Sequence, residues 1–231
     1  MSSRDSNLPA DSSMPESREP AKPSSLSLFG TILILVIFQL PLGRYLALGD
    51  TFGAEVAREG VFWGLTVLLV SYILFFERRP LSSIGLIQPT WKTVAFGVIG
   101  AFAMVAGMTL IYLVLFPMFG LSTNEPTMIA VKAMPLWFRV VLILRAAVFE
   151  EIFYRGFMIE RLAEFTRLRW LAALISLTAF TLAHLSGWGW AHLMVAGFGG
   201  AILTGLYLLR RDLGSNMIAH FLTDGVGFLL G

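Results

Sequence analysis

Cysteine is absent from the 231 residues. Disulfides, thiol nucleophiles and thiolate-bound metals are therefore excluded. Charge is scarce as well: Asp, Glu, Lys and Arg make up 14% of the chain, against about 25% in a soluble domain. The formal net charge is only +2, so there is no basic footprint for nucleic acid. No internal repeat is visible, which weighs against the repeated halves common in transporters. A cleaved secretory leader is not expected, because the N-terminal stretch is long and polar and no small-residue cleavage site follows the first apolar run.

What the chain has in excess is apolar surface. Hydrophobic residues make up 56% and the mean hydropathy is +0.75. Lipid is the solvent that covers such a surplus, so the expected fold is all-α: a polytopic transmembrane bundle of about seven to eight helices. Residues 1–26 are rich in Ser, Pro and charge and are expected to form a disordered tail. Residues 27–231 are expected to form the transmembrane domain, with the chemistry-bearing core at about 78–231.

Seven apolar stretches qualify as spans: Leu28–Leu48 (interrupted by Pro41), Val61–Phe76, Thr93–Phe116, Pro135–Arg155, Trp170–Leu185, Trp190–Leu209 and Asn216–Leu230. The positive-inside rule orients them. Arg4, Arg18 and Lys22 fall in the tail. Arg78, Arg79, Lys92, Arg161, Arg167, Arg169, Arg210 and Arg211 fall in the loops that share its side. The opposite loops hold Arg44, Arg58 and Lys132. The expected placement is the plasma membrane, with a cytoplasmic N terminus and, for seven spans, an external C terminus. Gly197, Ala201 and Gly205 recur every four residues, a small-residue stripe expected to serve as a packing seam. Gly85 and Pro89 are read as ordinary turn residues.

The fourth span departs from this apolar pattern. It carries Arg139, Arg145, Glu150, Glu151 and Arg155, and a charge in the hydrocarbon core costs about 3 kcal/mol on insertion scales. Glu151 and Arg155 are four apart and share a face, so they can pair. Glu150 points about 100° away and has no basic residue four positions on. One carboxylate is thus committed and one, Glu150, is free to act as a base. Phe180 and His184 are also four apart, as are His220 and Asp224. The three histidines, His184, His192 and His220, all lie in or beside spans.

Each of these residues also has a plain structural reading. Glu151, Arg145 and Arg155 are read as ion-pair scaffold, and Phe180 as a packing residue. Arg139 is expected to snorkel, and His192, beside Trp188 and Trp190, to sit at the membrane boundary. Glu150, His184 and His220 resist that reading together, because three helices each supply a costly polar group.

The ordered set Glu150-Glu151-x-x-x-Arg155, Phe180-x-x-x-His184 and His220-x-x-x-Asp224 resembles the three motifs of the CPBP family. This is the CAAX protease and bacteriocin-processing (Abi) group, which includes Rce1-type prenyl endopeptidases. The resemblance covers roughly Arg78 to the C terminus. It implies an intramembrane glutamate endopeptidase that hydrolyses peptide bonds of membrane-associated substrates, prenylated CAAX ends among them. Carried over, Glu150 activates a water with help from His184, while His220 and Asp224 stabilise the oxyanion. A carboxylate in a low-dielectric cavity suits the first task and positioned donors the second. Family members often have Asn where this chain has Asp224. Ionised Asp cannot donate to an oxyanion, so Asp224 is either protonated or orients His220; the second is the reading taken here.

Two alternatives stay open on the same residues. Two histidines and a carboxylate could hold zinc, although no HExxH is present and no cofactor is expected. A non-catalytic immunity or scaffold protein is the other. The expected partners are the bilayer and a membrane-associated peptide or protein. The spans as drawn also place Glu150 and His220 near one membrane face and His184 near the other. That strain eases if the fourth helix continues toward Leu168.

Overall fold

The structure is a computed structural model that describes residues 25–39, 51–122 and 125–230. Most of the expected tail, and residues 40–48 of the first expected span with Pro41, lie outside the described residues. Eight helices and no strand are found among those described, which establishes the all-α bundle.

Helix α1 is Ser25–Gln39. Helix α2 begins at Phe52, where the Thr51 hydroxyl accepts from the Ala54 amide at 3.2 Å. It runs on through a π-helical turn to Phe76. A 3₁₀ turn, Leu81–Ile84, ends on Gly85 at φ 80°, where a left-handed residue is needed and glycine supplies it without strain. Thr90 and Thr93 form a reciprocal capping box at the start of α3, Trp91–Met118. The short α4 is Glu125–Lys132. The long α5, Leu136–Thr166, then leaves it at 117°. Next come α6, Arg169–Trp188, and α7, His192–Arg210. Helix α8, Leu213–Gly225, is capped by Asp212, which accepts from the Ser215 amide and hydroxyl. A π-helical turn, Val226–Leu230, follows it.

Four of these helices, α2, α3, α6 and α7, are long and apolar enough to cross a membrane, or five if the bent pair α4–α5 counts as one broken span. Large apolar side chains such as Phe75, Phe102, Leu113 and Leu209 are exposed on their outer faces. Exposed apolar surface on that scale is stable against acyl chains rather than water, and the protein is an integral membrane protein.

Several expected spans are corrected. Val61–Phe76 starts too late, because the Thr51 cap lets the helix begin upstream and takes Glu55, Arg58 and Glu59 into it. Pro135–Arg155 ends too early, since α5 continues to Thr166. Asn216–Leu230 is not a full span: α8 has 13 residues and packs inside the bundle.

The small-residue stripe is also corrected. A Cβ on Gly205 would meet nothing within 4 Å, and Ala201 is exposed. Close approach occurs instead at Gly199 and Gly200, which face Met108 and Phe180. On α3, Gly97 and Gly100 admit Ile218 and Ala219 of α8 in the same way.

The core joins Phe153, Phe157 and Ile159 of α5 to Ala172, Ala173 and Phe180 of α6, Tyr207 of α7 and Ile73 of α2. One end of the bundle is closed by charge. Arg161 is buried against Glu77 at 2.6 Å, while Glu160 takes Arg169 at 2.7 Å and Arg211 at 2.6 Å. Arg79 pairs with Glu164, and that hydrogen bond raises the guanidinium pKa above its ordinary value. Basic residues of three connecting segments thus converge at one end, as the loop charges predict.

Candidate active site

The centre of α5 is not an ordinary α-helix. Ala146–Met158 is π-helical over 13 residues, with i→i+5 hydrogen bonds that widen each turn and re-aim its side chains. Because α5 extends to Thr166, Glu150 lies near the middle of the rod and not at its end. The strain between the motif positions disappears for this reason.

Glu151 is fully buried and both of its oxygens accept hydrogen bonds. Its Oε1 accepts from Arg155 Nη1 at 2.8 Å and from His220 Nδ1 at 2.9 Å. Its Oε2 accepts from Asn216 Nδ2 at 3.0 Å. Arg155 also donates to the Gly200 carbonyl at 3.3 Å and lies over the Phe180 ring at 4.1 Å. A cation on an aromatic face with a carboxylate in its plane is a well-satisfied buried charge. Phe180 is therefore more than a packing residue: it also meets the rings of Tyr154, His184 and His220.

Glu150 is differently placed. Its Oε1 stands 3.6 Å from Arg145 Nη1, and its Oε2 is buried with no hydrogen-bond partner. It faces a cavity of about 560 Å³ that is also lined by His184, His192, His220 and Asp224. His184 closes the α-helical part of α6, and its Nδ1 donates to the Phe180 carbonyl at 2.8 Å. A carbonyl only accepts, so Nδ1 carries hydrogen and Nε2 is the atom left for a ligand. His220 Nε2 lies 3.5 Å from Asp224 Oδ2, a looser contact than the one its Nδ1 makes.

The cavity thus gathers Glu150, His184, His220 and Asp224 from three helices, and sets Glu151 and Arg155 behind them. Three residues were misjudged or missed in the sequence. His192 is turned into the cavity, its ring 6.1 Å from His184 and stacked at 4.9 Å on Trp188. Arg139 does not snorkel: it donates to the Phe228 carbonyl at 2.7 Å, inside the bundle. Asn216 ties α8 to Glu151 and to the Leu203 carbonyl. Its signal was present in the spacing, one helical turn before His220.

Apart from Arg145, the rest of the lining is apolar or weakly polar, with Met104, Met108, Met128, Tyr112 and Trp188 prominent. Methionine and aromatic side chains make a surface that adapts to a flexible apolar ligand. Among the described residues, no three of His, Asp and Glu are grouped to hold a metal ion.

A family model described as "Type II CAAX prenyl endopeptidase Rce1-like" matches residues 132–226. The match runs from the last residue of α4 to the turn after α8, and it contains all three motifs. No curated protein and no solved structure matches the chain. Residues 132–226 supply every motif side chain of the Glu150 cavity, and over that stretch the chain is similar to the Rce1-like type II CAAX prenyl endopeptidases.

Proposed function

We propose that the protein is an intramembrane endopeptidase in which Glu150 activates water to hydrolyse a peptide bond of a membrane-associated substrate. The observation that carries this reading is the unpartnered, buried Oε2 of Glu150 in a cavity shared with His184 and His220. A buried carboxylate oxygen with no donor is costly unless something visits it. A water held between Glu150 Oε2 and His184 Nε2 satisfies both atoms.

Glu150 takes a proton as the water oxygen bonds to the scissile carbonyl carbon. His184 Nε2 holds the water in line. The oxyanion so formed accepts from His220 Nε2, and Asp224 orients that ring from 3.5 Å. Glu150 then returns its proton to the departing amine as the carbon–nitrogen bond breaks, a cycle that needs no further reactant. Glu151 fixes the far side of the His220 ring.

The Met- and aromatic-lined cavity supports a substrate with a lipid-like or strongly apolar segment beside the cleaved bond, and a prenylated CAAX terminus fits that description. The loop charges support an N terminus in the cytoplasm, and the plasma membrane is the membrane proposed.

The test is a cleavage assay on purified protein in liposomes, with a quenched fluorescent peptide ending in a farnesylated CAAX sequence. Glu150→Ala is expected to insert normally and lose cleavage. Turnover retained by that variant rules out the glutamate mechanism. Stoichiometric zinc that restores chelator-treated enzyme would move the reading to a metalloprotease.

A further inference from the structure

Glu59 lies on α2, outside the matched residues 132–226, in a helix otherwise apolar enough to span the membrane. It is buried at 8% exposure. An ionised group there costs about 3 kcal/mol and calls for a partner. Arg145 of α5 is that partner. Its Nε approaches Glu59 Oε2 at 3.1 Å and its Nη2 approaches Oε1 at 3.0 Å, so one whole edge of the guanidinium is occupied. The flat face of the same group covers the Phe62 ring of α2 at 4.7 Å. Helix α2 therefore grips Arg145 by edge and by face.

The remaining nitrogen, Nη1, is directed at Glu150 Oε1 but stops at 3.6 Å, beyond hydrogen-bond length. Arg145 and Glu150 are five positions apart. On a regular α-helix they would point about 140° apart at 100° per residue. The π-helical register beginning at Ala146 brings residues five apart into line. An unrestrained guanidinium takes a carboxylate by two parallel hydrogen bonds, which would commit both oxygens of Glu150. With its edge held by Glu59, Arg145 offers Glu150 charge without capture, and Oε2 stays open to the cavity. The other polar groups lining that cavity include Tyr112 of α3, His184 of α6, His192 of α7, and His220, Thr223 and Asp224 of α8.

We propose that Glu59 and Arg145 are positioning residues, a bridge from α2 that keeps Glu150 near a positive charge but leaves one of its oxygens free for water. This rests on the reading of Glu150 as the base. Neither residue needs to touch the substrate, so the pair acts on kcat and not on KM.

The test uses the full chain in liposomes and the farnesylated CAAX peptide. Glu59→Gln frees the edge of Arg145 to close on Glu150. The expected result is a kcat about tenfold lower, the size of effect that one lost transition-state interaction gives, with KM unchanged. The double variant Glu59→Gln/Arg145→Gln removes the captor, and its kcat is expected to rise above that of Glu59→Gln alone. Unfolding midpoints are measured on each protein, and kcat is referred to folded enzyme, so that a stability effect is separated from a catalytic one.

A wild-type kcat in Glu59→Gln overturns the proposal. So does a double variant no faster than the single one, which would leave the pair a structural tie. Should Glu59→Gln fail to insert, Arg145→Lys carries the test, since lysine keeps the charge but lacks the fork that holds Glu59; wild-type kcat in that variant is equally fatal. Glu150→Gln is run alongside. If it retains turnover, the base assignment has failed and this inference falls with it. If it is inactive while the Glu59 results are negative, this inference fails alone.

Discussion

Glu151 on α5 and His220 on α8 are joined by a 2.9 Å hydrogen bond from Nδ1 to Oε1. Arg155 and Asn216 also donate to the carboxylate. Two adjacent glutamates therefore have opposite surroundings: Glu151 has donors on both oxygens, and Glu150 has one oxygen with none.

Glu151→Gln is expected to unfold the protein more easily. The change leaves the Arg155 guanidinium, 1% exposed, without its counter-charge, a loss of about 3–5 kcal/mol for a broken buried pair. Glu150→Gln, which disturbs only a 3.6 Å contact, is expected to keep its unfolding midpoint. Detergent-phase thermal melts compare the two; equal midpoints would contradict the division of roles.

His184→Phe preserves the aromatic contact with Phe180 and removes Nε2. The kcat on the farnesylated peptide is expected to fall about 10²- to 10⁴-fold, the usual worth of a group that handles a reacting proton. A kcat within a factor of a few of wild type would remove His184 from the mechanism.

Asp224→Asn keeps an acceptor beside His220 Nε2, which now stands at 3.5 Å. Its kcat is expected within about threefold of wild type, and that of Asp224→Ala about tenfold lower, as for loss of one hydrogen bond. Should Asn and Ala cost the same, Asp224 does not act by orienting His220.

Gly200 and Gly205 make a contrast within α7. A Cβ on Gly200 would stand 2.8 Å from Phe180 Cδ1 and 2.9 Å from Leu177 Cδ1. Phe180 is held by Arg155 and Tyr154 and has little room to yield, so Gly200→Ala is expected to cost about 1–3 kcal/mol. At Gly205 a Cβ meets open space, and alanine is expected to gain about 0.5–1 kcal/mol from the helical backbone. Unfolding in mixed micelles measures both. The reverse order would mean that the helix packs on another face.

Much of the site could be read before folding was considered. An i,i+4 spacing puts Glu151 with Arg155, Phe180 with His184 and His220 with Asp224 on common helix faces, because helix geometry is local. Arg145 was legible as ion-pair scaffold, but its partner Glu59 and the cavity position of His192 were not legible in the same way. His192 enters the cavity because the turn through Gly189, at φ 79°, brings α7 back beside the end of α6. Glu59 fell outside the expected span because the apolar run begins at Val61, while the Thr51 cap starts the helix at Phe52.

The sequence by itself determined that the chain is helical, lives in lipid, and carries three i,i+4 motif pairs on its later helices. Those features follow from apolar composition and from a period that every α-helix shares. Spacing also paired Glu151 with Arg155 and left Glu150 free; only the tertiary structure decided what else reaches each glutamate. That choice depends on the π-helical turn of α5, on Asn216 and His220 of α8 reaching Glu151, and on α2 bringing Glu59 to Arg145, all contacts between residues far apart in the chain.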